Sequence, residues 1–299
     1  MKRHEHLLEL SGVKKSFGRA VALDGLNLAI GSGELVAVLG PNGAGKSTAI
    51  SLMLGLHEPD SGSVKLFARS PRDLKARLQI GVMMQEVFLA PELRVCEQID
   101  LVASYYSDPL TPDAAMEMTQ TSSLATRPYG TLSGGQKRQV QLAMAVCGRP
   151  RLLFLDEPSV GLDLRARQTM WSTLRGLVSD GASILLTTHY LEEAEALADR
   201  VVVLAKGRVI AAGTVNEMRA LVMRQRISCR SSVNVETVKG WPYIETVSRD
   251  LDHLFITTAD AQAVVLRLFA ADPNLTELDV RRAGLAEVFS QLTLTEEDQ

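Results

Sequence analysis

Cysteine is scarce in this sequence, with only Cys96, Cys147 and Cys229 among 299 residues. They are odd in number, far apart and in no metal-ligand spacing. That excludes a disulfide framework or a zinc ribbon and leaves the reading of buried thiols in a reducing compartment. Long hydrophobic runs are missing as well. No stretch approaches the roughly 18 apolar residues that would cross a bilayer, so any membrane role is expected to run through a partner. The start, "MKRHEHLLELSG", carries charge with no apolar core behind it, and no secretory signal is expected there. There is no dense block of lysine or arginine, and the net charge is −3, which argues against a nucleic-acid partner. No internal repeat and no low-complexity tract is visible.

What remains is an ordinary globular balance, 46% hydrophobic and 22% charged, in a length that suits roughly two domains. "HLLELSGVKKSFG" and "LDGLNLAIGSGE" read as short strands separated by turns, an antiparallel layer. "ELVAVLG", "RLLFLD" and "SILLTTH" are uninterrupted apolar strands. Helical patterns such as "KSTAISLMLGL" and "RARQTMWSTLRGLVSDG" alternate with them, the arrangement of a parallel sheet covered on both faces. A helical middle spans roughly Val95 to Leu124, and "DRVVVLAKGRVIAAG" reads as a hairpin turning at Lys206 and Gly207. The character changes near Arg219. Strand-like "RISCRSS", "IETVSRD", "HLFITTA" and "LTELDVRR" mix with helix-like "DAQAVVLRLFAAD" and "GLAEVFSQLT", a small α+β domain of β-α-β-β-α-β order. The domain expectation is 1–218 and 219–299. His253, isolated in the second domain, reads as a surface residue.

Three glycines and a lone lysine directly follow the apolar strand "ELVAVL". "GPNGAGKST" fits the pattern G-x-x-x-x-G-K-[ST] at Gly40, Gly45, Lys46 and Ser47. In that loop, Gly40 through Thr48 (with Pro41, Asn42, Gly43 and Ala44 between the fixed positions), backbone N–H groups cradle phosphate oxygens. Side chains at the glycines would block that approach. The helix behind the loop directs its positive end at the same anion. Lys46 would reach the β- and γ-phosphates and Ser47 would hold Mg²⁺. By chance the pattern falls in about one chain in a hundred of this length, and a strand before it and a helix after it sharpen the reading. A phosphate loop needs a metal-side acid at the end of a strand in the same sheet. "RLLFLDEP" supplies Asp156 for the Mg²⁺ shell and then Glu157, a second carboxylate able to polarise an attacking water. His189 follows another apolar strand, at the carboxyl edge of the sheet, where open α/β folds bind ligands.

"LSGGQKRQ", Leu132 to Gln139, decides the family: the chain resembles the ATP-binding subunit of ABC transporters, whose signature is "LSGGQ". The resemblance covers roughly residues 7 to 217 and carries the other family elements in order. Gln85 matches the glutamine loop and "LLFLDEP" the Walker B strand with its catalytic glutamate. "SVGLD", Ser159 to Asp163, matches the loop after that strand, and His189 matches the switch histidine. Phe17 sits where the family carries an aromatic that stacks on adenine; it is Phe in place of the usual Tyr, which keeps the stacking face.

The resemblance implies a P-loop NTPase fold with a mixed sheet, an antiparallel subdomain and a helical subdomain. It implies ATP with Mg²⁺ held through Ser47, Gln85 and Asp156, and Glu157, His189 and Gln85 as the hydrolytic groups. It also implies a second ATP-binding subunit, by preference a second copy of this chain. Ser133, Gly134, Gly135 and Gln136 of one subunit would then close on the ATP of the other, with Asp163 at the interface. A helix start with bare N–H groups and a hydroxyl makes physical sense as such an anion site, although Ser133 capping its own helix is an equally good local reason for it. The permease would be a separate membrane polypeptide, which places the chain at the cytoplasmic face of the membrane. "EVF" in "GLAEVFSQLT" and the small second domain resemble the exporter branch whose permeases are of the ABC type-2 class. An importer ATPase and a soluble ABC ATPase are the alternatives.

Overall fold

The computed structural model describes residues 6–85, 87–220 and 225–282, and the chain divides into two compact units, Met1–Val215 and Asn216–Gln299.

The first unit opens with two long antiparallel strands, β1 (His6–Phe17) and β2 (Ala20–Gly31). Each runs 12 residues, longer than the short strands the sequence suggests, because the interruptions are absorbed as register shifts. One such shift lies between Leu10 and Val13, where Gly12 stands at φ +58°, the geometry of a bulge. The chain then enters β3 (Leu35–Leu39), α1 (Lys46–Met53) and β4 (Ser61–Leu66), which returns to pair with β1. The antiparallel layer has the order β2-β1-β4. After α2 (Leu74–Arg77) and β5 (Ile80–Met83) come the helices α3 (Val95–Ala103), α4 (Pro112–Met118) and α5 (Gly134–Val146). Val95, Ile99, Met116 and Val140 form their shared core.

The remaining elements of this unit are β6 (Leu152–Asp156), α6 (Leu164–Ser179), β7 (Ser183–Thr188), α7 (Leu191–Leu197), β8 (Arg200–Ala205) and β9 (Arg208–Gly213). They complete a six-stranded sheet of order β5-β6-β7-β3-β8-β9, parallel except for the β8–β9 hairpin. Every residue of β3, β6 and β7 is buried, as strands covered on both faces must be. Each large side chain so buried is worth about 1.5–3 kcal/mol. That anchors the three strand ends, at Leu39, Asp156 and Thr188, from which the site residues follow.

The second unit opens within α8 (Val215–Ala220) and continues with β10 (Gln225–Arg230), α9 (Val235–Lys239), β11 (Ile244–Asp250), β12 (His253–Thr258), α10 (Ala261–Ala271) and β13 (Thr276–Arg282). The order is β-α-β-β-α-β, and the sheet β11-β12-β10-β13 is antiparallel throughout. Ile227, Leu254, Ile256, Val264 and Leu268 make its core. The segment "GLAEVFSQLT", read as a helix in the sequence, lies outside the described residues. Among the described residues no helix is long and apolar enough to cross a membrane.

Candidate functional site

The loop from Gly40 to Gly45 closes against the molecule itself. A Cβ on Gly40 would sit 2.5 Å from the Leu204 carbonyl oxygen, and one on Gly45 would sit 2.5 Å from that of Ala22. Gly45 also stands at φ +102°, which L side chains rarely adopt. These two glycines are therefore required by the chain's own backbone, a reason that stands beside the expected approach of a phosphate. The β8–β9 turn braces the loop from behind, with Gly207 N–H donating to Ala44 O at 3.1 Å. Lys46, 8% exposed, folds back to donate from Nζ to Gly40 O (2.6 Å) and Pro41 O (3.1 Å). Burial pushes its pKa below the usual lysine range, and Glu157 and Asp156 pull it part of the way back. The ammonium thus faces its own carboxylates across a partly dry site.

A cleft of about 630 Å³ opens over this loop, lined by Asn42 through Thr48, by Ala22 and Val160, and by Gln85, Glu157 and His189. Gln85, Glu157 and His189, which come from three different strand ends, meet in it. Gln85 Nε2 donates to Glu157 Oε2 at 3.1 Å, and His189 Nδ1 lies 3.0 Å from Glu157 Oε1. Both carboxylate oxygens are held, and the direction of the carboxylate is fixed. Asp156 is 5% exposed, and its Oδ1 accepts from the Thr187 hydroxyl at 2.5 Å. Asp156 and Thr187 are register partners in the β6–β7 ladder.

The backbone of Glu157 is held as firmly as its side chain. It stands at φ +49°, a left-handed conformation that costs a non-glycine residue about 1–3 kcal/mol. Its N–H donates to Thr187 O at 3.0 Å and to Thr187 Oγ1 at 3.2 Å. Its carbonyl accepts from Arg138 Nη2 at 2.9 Å, and Arg138 Nη1 donates to Met84 O at 2.8 Å and Gln141 Oε1 at 3.1 Å. One buried guanidinium on α5 therefore ties the turn carrying Glu157 to the residue before Gln85. Arg138 and Thr187 escaped the sequence reading. Their signals were present, an arginine at a buried position of the "LSGGQKRQ" helix and a threonine ending an apolar strand, but neither is distinctive alone.

The other anticipated residues lie elsewhere. Ser133 and Gln136 form a reciprocal cap on α5, with Gln136 N–H donating to Ser133 Oγ (3.3 Å) and Ser133 N–H to Gln136 Oε1 (3.0 Å). Ser133 and Gly134 are exposed and Gly135 is half-buried. Asp163 caps α6 by accepting from Ala166 N–H at 2.8 Å. Phe17, 48% exposed, packs edge-on against His57 at 5.6 Å, with Lys15 Nζ 5.6 Å over its ring. None of these residues lines the cleft.

A family model described as "ABC transporter" matches residues 23–160. The "Nod factor export ATP-binding protein I" of Rhizobium sp. (strain N33) is 36% identical over 93% of this chain and 97% of its own length. That of Burkholderia lata is 39% identical over 96% of each. The chain belongs to the ATP-binding subunits of ABC transporters. Among solved structures, an ATP-binding subunit of an ABC transporter superposes with a TM-score of 0.66 at 30% identity, covering 72% of this chain and 92% of that one. A dimeric ATP-binding cassette in a post-hydrolysis state, bound to ADP and Pi, does so with a TM-score of 0.64 at 26% identity, covering 69% and 98%. The mixed sheet with its antiparallel and helical layers is the fold of the ATP-binding cassettes.

Proposed function

We propose that this chain is the ATP-hydrolysing motor of an exporter, acting at the cytoplasmic face of the membrane through a separate permease. The observation that carries the reading is the convergence of Gln85, Glu157 and His189 on one cleft with Lys46 and Ser47, in a chain whose full-length relatives are named export ATP-binding proteins. Glu157 is the general base that polarises water, His189 and Lys46 meet the γ-phosphate, and Phe17 stacks on adenine. Ser133, Gly134, Gly135, Gln136 and Asp163 serve the site of a second copy, since they are exposed or half-buried and away from their own cleft. A dimeric relative among the solved structures supports that assignment.

The donor set fits Mg²⁺. It consists of the Asp156 carboxylate, the exposed Ser47 hydroxyl and the carbonyl oxygen of Gln85, whose Nε2 is engaged on Glu157. Mg²⁺ prefers such hard oxygens, few in number and completed by substrate phosphates. Bound there, the ion would neutralise charge on the phosphates.

Permease docking falls on the segment after Gln85, where Phe88 is 97% and Val87 37% exposed, and on the outer side of α3, where Leu101 is 50% exposed. Residues 219–299 form the accessory domain in this reading, for regulation or dimerisation. The test is Glu157→Gln with phosphate release and size-exclusion chromatography in MgATP. Turnover is abolished and ATP-bound dimers accumulate; a variant hydrolysing at the wild-type rate removes Glu157 from the mechanism. Affinity capture of the tagged chain from its own membranes should bring down a stoichiometric multi-span protein, and ribosomal or DNA-repair factors in its place would remove the transport role.

A further inference from the structure

His189 does not stand alone on its strand end. Its ring lies 4.2 Å from that of Tyr190 at 39°, and the Arg167 guanidinium lies 4.7 Å over the other aromatic in this column, Tyr190. Arg167 Nε is buried with no hydrogen-bond partner among the described residues, so its place is set by the ring. One turn further along α6, Trp171 Nε1 donates to Glu193 Oε1 at 3.1 Å. Glu193 is fully buried, and its Oε2 has no partner among the described residues. A buried carboxyl group with one oxygen unmatched is costly, so its remaining bond to Trp171 carries weight. Arg167 and Trp171, four apart on α6, meet Tyr190, the N-cap of α7, and Glu193 three residues on, as two successive contacts along the α6–α7 seam. The Arg167 N–H donates to Asp163 O at 2.9 Å. The column therefore begins at the N-cap of α6, the end that carries Asp163, and finishes on the imidazole beside Glu157.

We propose that Tyr190 and Arg167 are positioning residues that hold the His189 imidazole in line with Glu157, and that they link its orientation to the α6 N-terminus. This rests on the reading of His189 as part of the hydrolytic site. Tyr190 touches no reacting atom; it acts through the imidazole ring it packs against. A close tilted ring contact restricts the imidazole plane without consuming either of its nitrogens, which stay available to Glu157 and to phosphate. The Glu193–Trp171 bond fixes α7 against α6, so Tyr190 cannot follow a displaced histidine.

The test is a double-mutant cycle in the purified full chain, reading kcat and KM for ATP. Tyr190→Leu lowers kcat about tenfold, the order expected when a reacting group is held loosely, with KM changed less than about twofold. Tyr190→Phe, which keeps the ring, restores turnover. In the His189→Ala background Tyr190→Leu costs less than about a further twofold, because the two act as one unit. Equal losses in both backgrounds, or a loss confined to KM, overturn the proposal. If His189→Ala loses turnover and Tyr190→Leu does not, this proposal alone falls. If His189→Ala hydrolyses at the wild-type rate, the reading of the site falls with it. In a Trp241→Phe background, Trp171 emission reports whether Tyr190→Leu keeps the α6–α7 seam. Should it fail to fold, Arg167→Met carries the same cycle, with an expected loss of about threefold or more.

Discussion

Arg138 offers the sharpest perturbation outside the residues that would touch nucleotide. Its guanidinium is 8% exposed and donates to Met84 O, Gln141 Oε1 and Glu157 O. Arg138→Met keeps most of the stem's volume and removes all three donors. Gln141 keeps its Nε2 bond to the Tyr129 hydroxyl at 3.1 Å, but its Oε1 and the two carbonyls lose a charge-assisted bond each. At about 1.5–2 kcal/mol per bond the three losses come to about 4.5–6 kcal/mol. Burial depresses the guanidinium pKa, a sign that keeping the charge there is itself costly, so relief from desolvation offsets part of the loss. A net destabilisation of about 2–3 kcal/mol remains. With a urea slope of about 2 kcal/mol per molar, the midpoint falls by about 1–1.5 M. The assay follows Trp171 in a Trp241→Phe background, which leaves one tryptophan in the first unit. The same variant lowers kcat by about tenfold or more, because the left-handed turn at Glu157 loses the clamp on its carbonyl. Arg138→Lys recovers less than half of either effect, since a point-like ammonium cannot span both carbonyls. A midpoint within about 0.2 M of wild type, together with unchanged turnover, would refute the reasoning.

Three further outcomes are expected. Gly45→Ala places a Cβ 2.5 Å from Ala22 O at φ +102°, and it should cost several kcal/mol, on the order of 3 or more, and abolish nucleotide binding measured by equilibrium dialysis. In the second unit the Asp272 carboxylate accepts from Ser232 N–H, from the Ser231 and Ser232 hydroxyls and from Asn274 N–H; these bonds hold its pKa at about 2 against an ordinary 3.8. A depressed carboxylate stabilises the fold above the unfolded-state pKa and loses that contribution as pH falls through the folded value, so acid unfolding of this unit should steepen between about pH 4 and 2 and flatten in Asp272→Asn. Burial pushes the Cys147 thiol up to about 11 and raises that of Cys229 as well, so a thiol reagent at pH 8 (an arbitrary working value, about three units below the Cys147 pKa) should label half-buried Cys96 and spare both until the protein unfolds.

Legibility in the sequence followed the range of the interaction. Local rules suffice for β3, β6 and β7, whose apolar runs can only be strands buried on both faces. They suffice also for the Gly40–Thr48 loop and for the β8–β9 turn at Lys206 and Gly207, which stand at φ +45° and +78°. The length of β1 and β2 was hidden because Gly12 and the polar residues beside it read as breaks, while a cross-strand partner turns the same residues into a bulge. The short helix α9 was anticipated as a place in the β-α-β-β-α-β order, but its residues were hidden for a similar reason. Five residues carry no periodicity, and its Asn234 cap, which accepts from Glu236 N–H at 3.0 Å, is one polar residue among several.

The site divides along the same line. Gln85, Glu157 and His189 were found by motif, yet nothing in their spacing of 72 and 32 residues says that one carboxylate would receive both partners. The supporting residues are harder still. Thr187, Arg138 and Tyr190 act through a backbone carbonyl, a hydroxyl bridge or a ring face, and such contacts place almost no demand on composition. Arginine in a helix is ordinarily a solvated charge; Arg138 becomes a structural centre only because two strand-end carbonyls, at residues 84 and 157, happen to open toward the same face of α5. The asymmetry has a physical source. Groups that meet phosphate must have a fixed chemistry and are recognisable one at a time, whereas groups that hold them need only a fixed place, and place is a property of the folded sheet.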